Sequence, residues 1–180
     1  MDVFIQLIVN GILLAGVYIG LTVGLTLIFG VIKVVNFAHG EFLMIGLYAT
    51  YLLTTYSGLN VLGAIIPVVV LLFVLGYLMQ KTIIQPLLNA PHHMQIFATV
   101  GVSTFLMNMA LVVFGADIHR TVDSLAVSTA NIGGINVVVG QVITLVISVI
   151  LALALQMFLS KTFTGMSIKA VSQNRNSAAL

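Results

Sequence analysis

Asn36, His39 and Glu41 stand close together in VVNFAHGEFLMIGLY, the stretch from Val34 to Tyr48. A histidine beside a carboxylate can move a proton, polarise a bond or ligate a metal. The spacing argues against a metal, because His39-Gly40-Glu41 is not the HExxH pattern that sets two histidines on one helix face toward a zinc. His92 and His93 are adjacent in a proline-flanked loop, so they point apart, and metal sites normally need about three or four convergent ligands. No GxxxxGKS or GxxxxGKT element is present to cradle nucleotide phosphates, so any ATP the protein uses is expected on another chain. The chain has no cysteine, which removes thiol catalysis, disulfides and thiolate metal sites together.

The framework that positions these groups is set by composition. The 180 residues are 61% hydrophobic and 6% charged, with a mean hydropathy of +1.23, whereas roughly a quarter of a soluble domain is charged. Soluble globular classes are excluded, and the chain reads as an integral membrane protein. Its charged side chains are Asp2, Lys33, Glu41, Lys81, Asp117, Arg120, Asp123, Lys161, Lys169 and Arg175. The uncharged runs between them are long enough for helices, each of which needs roughly 20 residues to cross hydrocarbon. Backbone groups in hydrocarbon can bond only one another, and no alternating barrel pattern appears, so each span must be helical.

The expectation is an all-α polytopic helical bundle with five transmembrane spans, near Phe4 to Phe29, Phe37 to Thr55, Val61 to Gln80, Gln95 to Gly115 and Val138 to Ser160. YSGLN (Tyr56 to Asn60), QPLLNAPHH (Gln85 to His93) and a polar loop from Ala116 to Asn136 with Gly133 and Gly134 supply the breaks. A cleaved secretory signal is disfavoured, since signal h-regions run roughly 7 to 15 residues behind a basic segment. Here Asp2 is the only early charge, and the uncharged run continues from Val3 to Ile32. With five spans, Lys33, Lys81, Lys161, Lys169 and Arg175 share one side and Arg120 lies on the other, beside Asp117 and Asp123. Because cytoplasmic loops retain Lys and Arg, this predicts an external N-terminus and a cytoplasmic C-terminal segment. The net charge of +2 and pI near 9.1 are carried singly at helix ends, not as a patch that would bind nucleic acid.

Small and polar residues mark helix faces. Gly16, Gly20 and Gly24 share one face of the first span, a groove for close approach of another helix, read either as static packing or as a contact that slides. Gly101, Thr104 and Asn108 line one arc of the fourth span, and Gln141, Thr144, Ser148 and Gln156 one arc of the fifth. These arcs suit interhelical hydrogen bonds or the lining of a polar path. No charge lies in the middle of either span, which argues against a proton relay or ion pump. Near the second span, a continuous helix would turn Glu41 about 140° from Asn36. Glu41 must then face the headgroups, or the segment around Gly40 must be bent or re-entrant. The final stretch FTGMSIKAVSQNRNSAAL, Phe163 to Leu180, reads as a short helix on the cytoplasmic side, either a membrane-surface element or a docking element.

VVNFAHGEFLMIGLY resembles the signature of the permease subunits of branched-chain amino acid ABC importers, the Liv-type family. SIKAVSQNRNSAAL is similar to that family's cytoplasmic coupling loop, and IIQPLLNAP to its Pro-Leu loop. The order and spacing of the three match across the chain. The signature falls on Asn36, Phe37, Ala38, His39, Gly40 and Glu41. The coupling loop falls on Ala170, Val171, Gln173, Asn174, Arg175, Ala178, Ala179 and Leu180. Asn176 departs from a position that is often acidic in the family, and the loop around Gln85 lacks the usual flanking arginines.

The resemblance implies a transmembrane permease domain over residues 1–162 and a cytoplasmic coupling loop over 163–180. It implies a chain with no catalysis and no cofactor of its own. The expected partners are a homologous permease subunit, two cytoplasmic ATPase subunits that hold ATP and Mg, an extracytoplasmic substrate-binding protein and the lipid bilayer. Transport by alternating access across a bacterial or archaeal inner membrane follows, with urea or short amides as the alternative substrates and a passive channel as the rival class. Family members continue beyond the position of Leu180, so the resemblance also implies an N-terminal portion that is not expected to support transport alone.

Overall fold

Hydrocarbon offers no hydrogen-bond partners, so an apolar chain is driven into helices long enough to hide their own backbone. The computed structural model describes residues 2–32, 34–88, 90–121 and 128–173. The helices are α1 (Asp2–Ile32), α2 (His39–Tyr56), α3 (Val61–Met79), α4 (Gln85–Leu87), α5 (His92–Phe114), α6 (Val139–Lys161) and α7 (Phe163–Gln173). A π-helical turn, Gln80–Ile84, joins α3 to α4.

The architecture is helical and polytopic. Among the described residues four stretches are long and apolar enough to cross a membrane: Val3–Val31, Val61–Leu87, His92–Phe114 and Val139–Lys161. The sequence-based expectation of five is met only in part, because α2 stands apart. Its 18 residues extend about 27 Å, short of the roughly 30 Å of hydrocarbon. It also carries His39 and Glu41 in its first turn, with threonines and tyrosines further along. A second departure lies in the polar loop, where Thr129–Ile132 (β1) and Ile135–Val138 (β2) form an antiparallel hairpin with Ile132 opposite Ile135. Gly133 and Gly134 both have positive φ, 60° and 87°, as a tight two-residue hairpin turn of the I′ kind requires.

The chain divides into two compact units. The first comprises Met1–Lys33 with Ser124–Leu180, and in it α1 packs along α6. A Cβ added to Gly16 would lie 2.5 Å from the Leu145 Cα, and one on Gly20 would lie 3.0 Å from the Ser148 Oγ. The two helix backbones therefore approach as closely as glycine permits. At the start of α1, the Gln6 amide acts as a surrogate strand, donating to the Asn136 carbonyl (2.8 Å) and accepting from the Asn136 N–H (2.9 Å). Thr162 ends α6 and begins α7. Its N–H and Oγ1 both donate to the Phe158 carbonyl (3.2 and 2.7 Å), and its Oγ1 accepts from the Gly165 N–H (3.0 Å). Gly165 sits inside this elbow, where a Cβ would run into the Phe158 carbonyl and the Leu159 Cα.

The second unit is Val34–Asp123. Here α2 packs on α3 through buried Gly46, whose added Cβ would lie 3.2 Å from Leu72 Cδ1. Asn60 caps α3 by accepting from the Gly63 N–H (2.7 Å), which satisfies one of the donors a helix start leaves free. Large apolar side chains such as Ile66, Phe73, Phe105 and Val112 remain exposed, as expected of surfaces solvated by lipid tails.

The close approach at Gly16 makes a specific demand. Gly16→Ala should destabilise the protein by about 1 to 3 kcal/mol through overpacking. Gly11→Ala on the same helix, where a Cβ meets nothing within 4 Å, should be neutral or stabilising by up to about 1 kcal/mol. Thermal unfolding in detergent micelles compares the two.

Candidate functional site

The polar residues that the sequence sets in apolar surroundings converge where the backbone stops being helical, from Val34 to Ala38. Asn36 folds this stretch upon itself. Its Oδ1 accepts from the Ala38 N–H (3.0 Å) and its carbonyl from the His39 N–H (3.2 Å), while the Ala38 carbonyl accepts from the Phe42 N–H (3.3 Å). This side-chain-to-backbone turn leads into α2, whose own cap residue, Ala38, has no side chain able to do the work. Val34, Asn36 and Ala38 are buried. The Asn36 Nδ2 lies 3.9 Å from the Met79 Sδ, at the residue preceding the π-helical turn, a departure from α-geometry that often accompanies functional sites.

The α5 helix holds what remains unpaired. Gln95, Thr99 and Ser103 recur every four residues and so share a face. The Gln95 Nε2 donates to the Leu87 and Ala90 carbonyls (2.9 and 3.2 Å). The Thr99 Oγ1, on a side chain only 1% exposed, lies within donating distance of the Ile96 carbonyl (3.0 Å) and the Val35 carbonyl (3.3 Å). The Ser103 Oγ donates to the Glu41 Oε1 (2.7 Å). The other carboxylate oxygen, Glu41 Oε2, is buried and has no hydrogen-bond partner among the described residues. Three of the four buried polar residues in the described chain, Asn36, Gln95 and Thr99, belong to this joint.

Asn36 and Glu41 do not share one continuous helix, because the non-helical stretch Val34 to Ala38 precedes α2. Gly40 is exposed and inside α2, with open space where a Cβ would stand. His39 is half-buried as the first residue of α2, and Phe37 is exposed.

The residues considered for a polar path are dispersed. The Thr104 Oγ1 donates to the Val100 carbonyl (3.0 Å) and the Asn108 Nδ2 to the Thr104 carbonyl (2.7 Å), both satisfying their own helix. Gly101 borders a largely apolar groove of about 500 Å³ with Phe42, Ile45 and Phe105. In the other unit the Thr144 Oγ1 donates to the Gly140 carbonyl (2.8 Å) and Ser148 is buried against Gly20. Gly24 is half-buried on α1. Ala170 and Val171 are exposed on α7, which ends at Gln173. Asn174, Arg175, Ala178, Ala179 and Leu180 lie outside the described residues, as does Lys33.

A second groove, of about 590 Å³, runs along α2 past Leu43, Leu47, Tyr48 and Tyr51 to Asp117 and His119. There the Tyr48 and Phe114 rings stack at 3.9 Å, and the His119 Nε2 lies 3.0 Å from the Phe114 carbonyl. No group of three or more metal-ligating side chains occurs among the described residues.

Sequence reasoning missed Gln95, Thr99 and Ser103. Their four-residue spacing was readable, but the neighbouring arc of Gly101, Thr104 and Asn108 has similar periodicity, and spacing alone does not say which arc meets a partner.

A family described as "branched-chain amino acid transport system / permease component" matches residues 7–180. The chain is 23% identical over 184 aligned residues to the high-affinity branched-chain amino acid transport system permease protein BraD of Pseudomonas aeruginosa, covering 95% of this chain and 60% of BraD. It is 28% identical over 113 residues to the corresponding permease protein LivH of Salmonella typhimurium and 27% to that of Escherichia coli K12, covering 58% of this chain and 37% of each relative. The chain thus spans about 60% or less of the length of these curated relatives. No solved structure matches it.

The joint yields a stability test. Thr99→Val keeps the side-chain shape but strips the Val35 carbonyl of its donor, and should cost about 0.6 to 1.7 kcal/mol. Asn108→Ala, at an exposed position, should stay within about 0.5 kcal/mol. Denaturant titration of the micellar protein distinguishes these.

Proposed function

The chain belongs to the family of branched-chain amino acid transport system permease components, and from that premise we propose that it is the membrane-spanning permease subunit of an ATP-driven importer. It carries branched-chain amino acids into the cytoplasm by alternating access. Its partners are a homologous permease subunit, two cytoplasmic ATPases that bind ATP and Mg, and an extracytoplasmic substrate-binding protein. The family match over residues 7–180 is the observation that carries this reading.

Several features support the finer points. The α2 helix completes a five-span topology, because only then do Lys33, Lys81, Lys161 and Lys169 share the cytoplasmic side. Its length deficit is small enough for local bilayer thinning to accommodate. Residue 180 is then cytoplasmic and the N-terminus external. The amphipathic α7, with Ala170 and Val171 exposed, begins the coupling segment of residues 163–180, to which Gln173, Asn174, Arg175, Ala178 and Ala179 also belong. Gly101, Thr104 and Asn108 make one sparsely polar face on α5, and Thr144 and Ser148 another on α6, each of a character that suits passage of an aliphatic solute. The segment from Asn36 to Glu41 is the joint through which movement of the coupling segment reaches the solute path. Its polar groups hold backbone and carboxylate in place, a mechanical task.

The test is uptake of labelled leucine into proteoliposomes that contain the complete natural subunit with all its partners. Uptake should require both ATP and the binding protein. Glu41→Ala should lower it roughly tenfold, the scale of one lost charge-assisted hydrogen bond, and His39→Ala should lower it as well, both with assembly preserved. Uptake without ATP would establish a passive carrier. A complex whose ATPase responds to loaded binding protein but ignores leucine would move the substrate to urea or short amides.

A further inference from the structure

Gln95, Thr99 and Ser103 do different jobs. The first two bond main-chain carbonyls, Leu87 and Ala90 for Gln95 and Val35 for Thr99, so they fasten backbone segments. Ser103 bonds a side chain, the Glu41 carboxylate, at 2.7 Å. That distance belongs to a strong hydroxyl-to-carboxylate bond. Yet the second oxygen, Oε2, is buried with no partner among the described residues. A carboxylate satisfied on one side only is costly to keep away from water, so this contact is strong in geometry but incompletely compensated.

We infer that Ser103 is the positioning residue for Glu41 in the transport cycle, and that the Ser103–Glu41 contact is made in one state of the permease and opened in another. This rests on the importer reading above. A small rotation of the first turn of α2 would release Glu41 and let Oε2 gain a partner, while Asn36 and Thr99 keep the preceding turn anchored. The half-satisfied carboxylate lowers the cost of leaving the closed contact, which is what a two-state element requires if a partner is to shift it.

The experiment uses the complete transporter in proteoliposomes, with assembly verified for every variant. It reads the maximal rate of ATP hydrolysis stimulated by loaded binding protein, the concentration of loaded binding protein giving half that rate, and leucine uptake. Ser103→Ala should lower the maximal stimulated rate roughly tenfold, as expected for loss of a hydrogen bond to a charged group, with the half-saturating concentration unchanged. Ser103→Thr, which keeps the hydroxyl, should restore most of the rate. Glu41→Gln combined with Ser103→Ala should be no worse than the more impaired single variant, the signature of two groups acting through one contact. A wild-type rate in Ser103→Ala, failure of Ser103→Thr to rescue, or a double variant that shows the product of the two single losses overturns the inference. If the wild type hydrolyses ATP in response to loaded binding protein but does not take up leucine, only the substrate reading fails, and the cycle is decided on hydrolysis. If no ATPase assembles on the wild type, the importer reading and the role of Ser103 fall together.

Discussion

A backbone that leaves helical geometry within apolar surroundings must have its free amide and carbonyl groups satisfied by something other than water. In this protein that constraint bears on the five residues from Val34 to Ala38. Asn36 satisfies the amide side locally, and Thr99 reaches the Val35 carbonyl from α5. Without these two side chains the turn would carry buried, unpaired backbone groups, and the start of α2 would lose the geometry that aims Glu41 at Ser103. Transmembrane side-chain hydrogen bonds are individually modest, averaging about 0.6 kcal/mol. Precision of placement here therefore comes from several bonds arranged along one helix face.

The two units solve different problems with different residues. In the first, Gly16 and Gly20 remove side chains so that α1 and α6 can meet along Leu145 and Ser148, and dispersion between close-packed backbones does the holding. Thr162 and Gly165 then turn the chain sharply from α6 into α7, so that the segment resembling the family's coupling loop starts from a fixed elbow. In the second, polar side chains hold a break in the helix. Tight small-residue contacts suit a rigid body, whereas a polar joint with one carboxylate oxygen unpaired among the described residues suits a part that changes state.

Much of this was legible in the sequence. Helix extents followed from uncharged runs and from breaks at YSGLN and QPLLNAPHH, since both the hydrophobic requirement and the turn chemistry are local. The special character of Asn36 to Glu41 also showed, because polar groups are rare in such a chain. Three things did not show. Gly133 and Gly134 were readable only as part of a polar loop, because the short flanking strands TANI and INVV lack the clear alternation that identifies strands. The bend was associated with Gly40, although an Asn side chain two residues before Ala38 makes the turn instead. The side of α5 that meets α2 was not singled out, because a membrane helix is apolar all round. Its hydrophobic periodicity then carries little information about which side meets protein, and Gln95, Thr99 and Ser103 could not be ranked above Gly101, Thr104 and Asn108.

The Ser103 face of α5 meets the first turn of α2. The absence of cysteine from the chain makes this contact directly measurable by thiol cross-linking with a short bifunctional reagent in reconstituted membranes. The Glu41→Cys, Ser103→Cys pair should link efficiently, and the Glu41→Cys, Asn108→Cys pair should not. Linking through position 108 in preference to 103 would contradict the account, because α5 would then turn a different face to the joint.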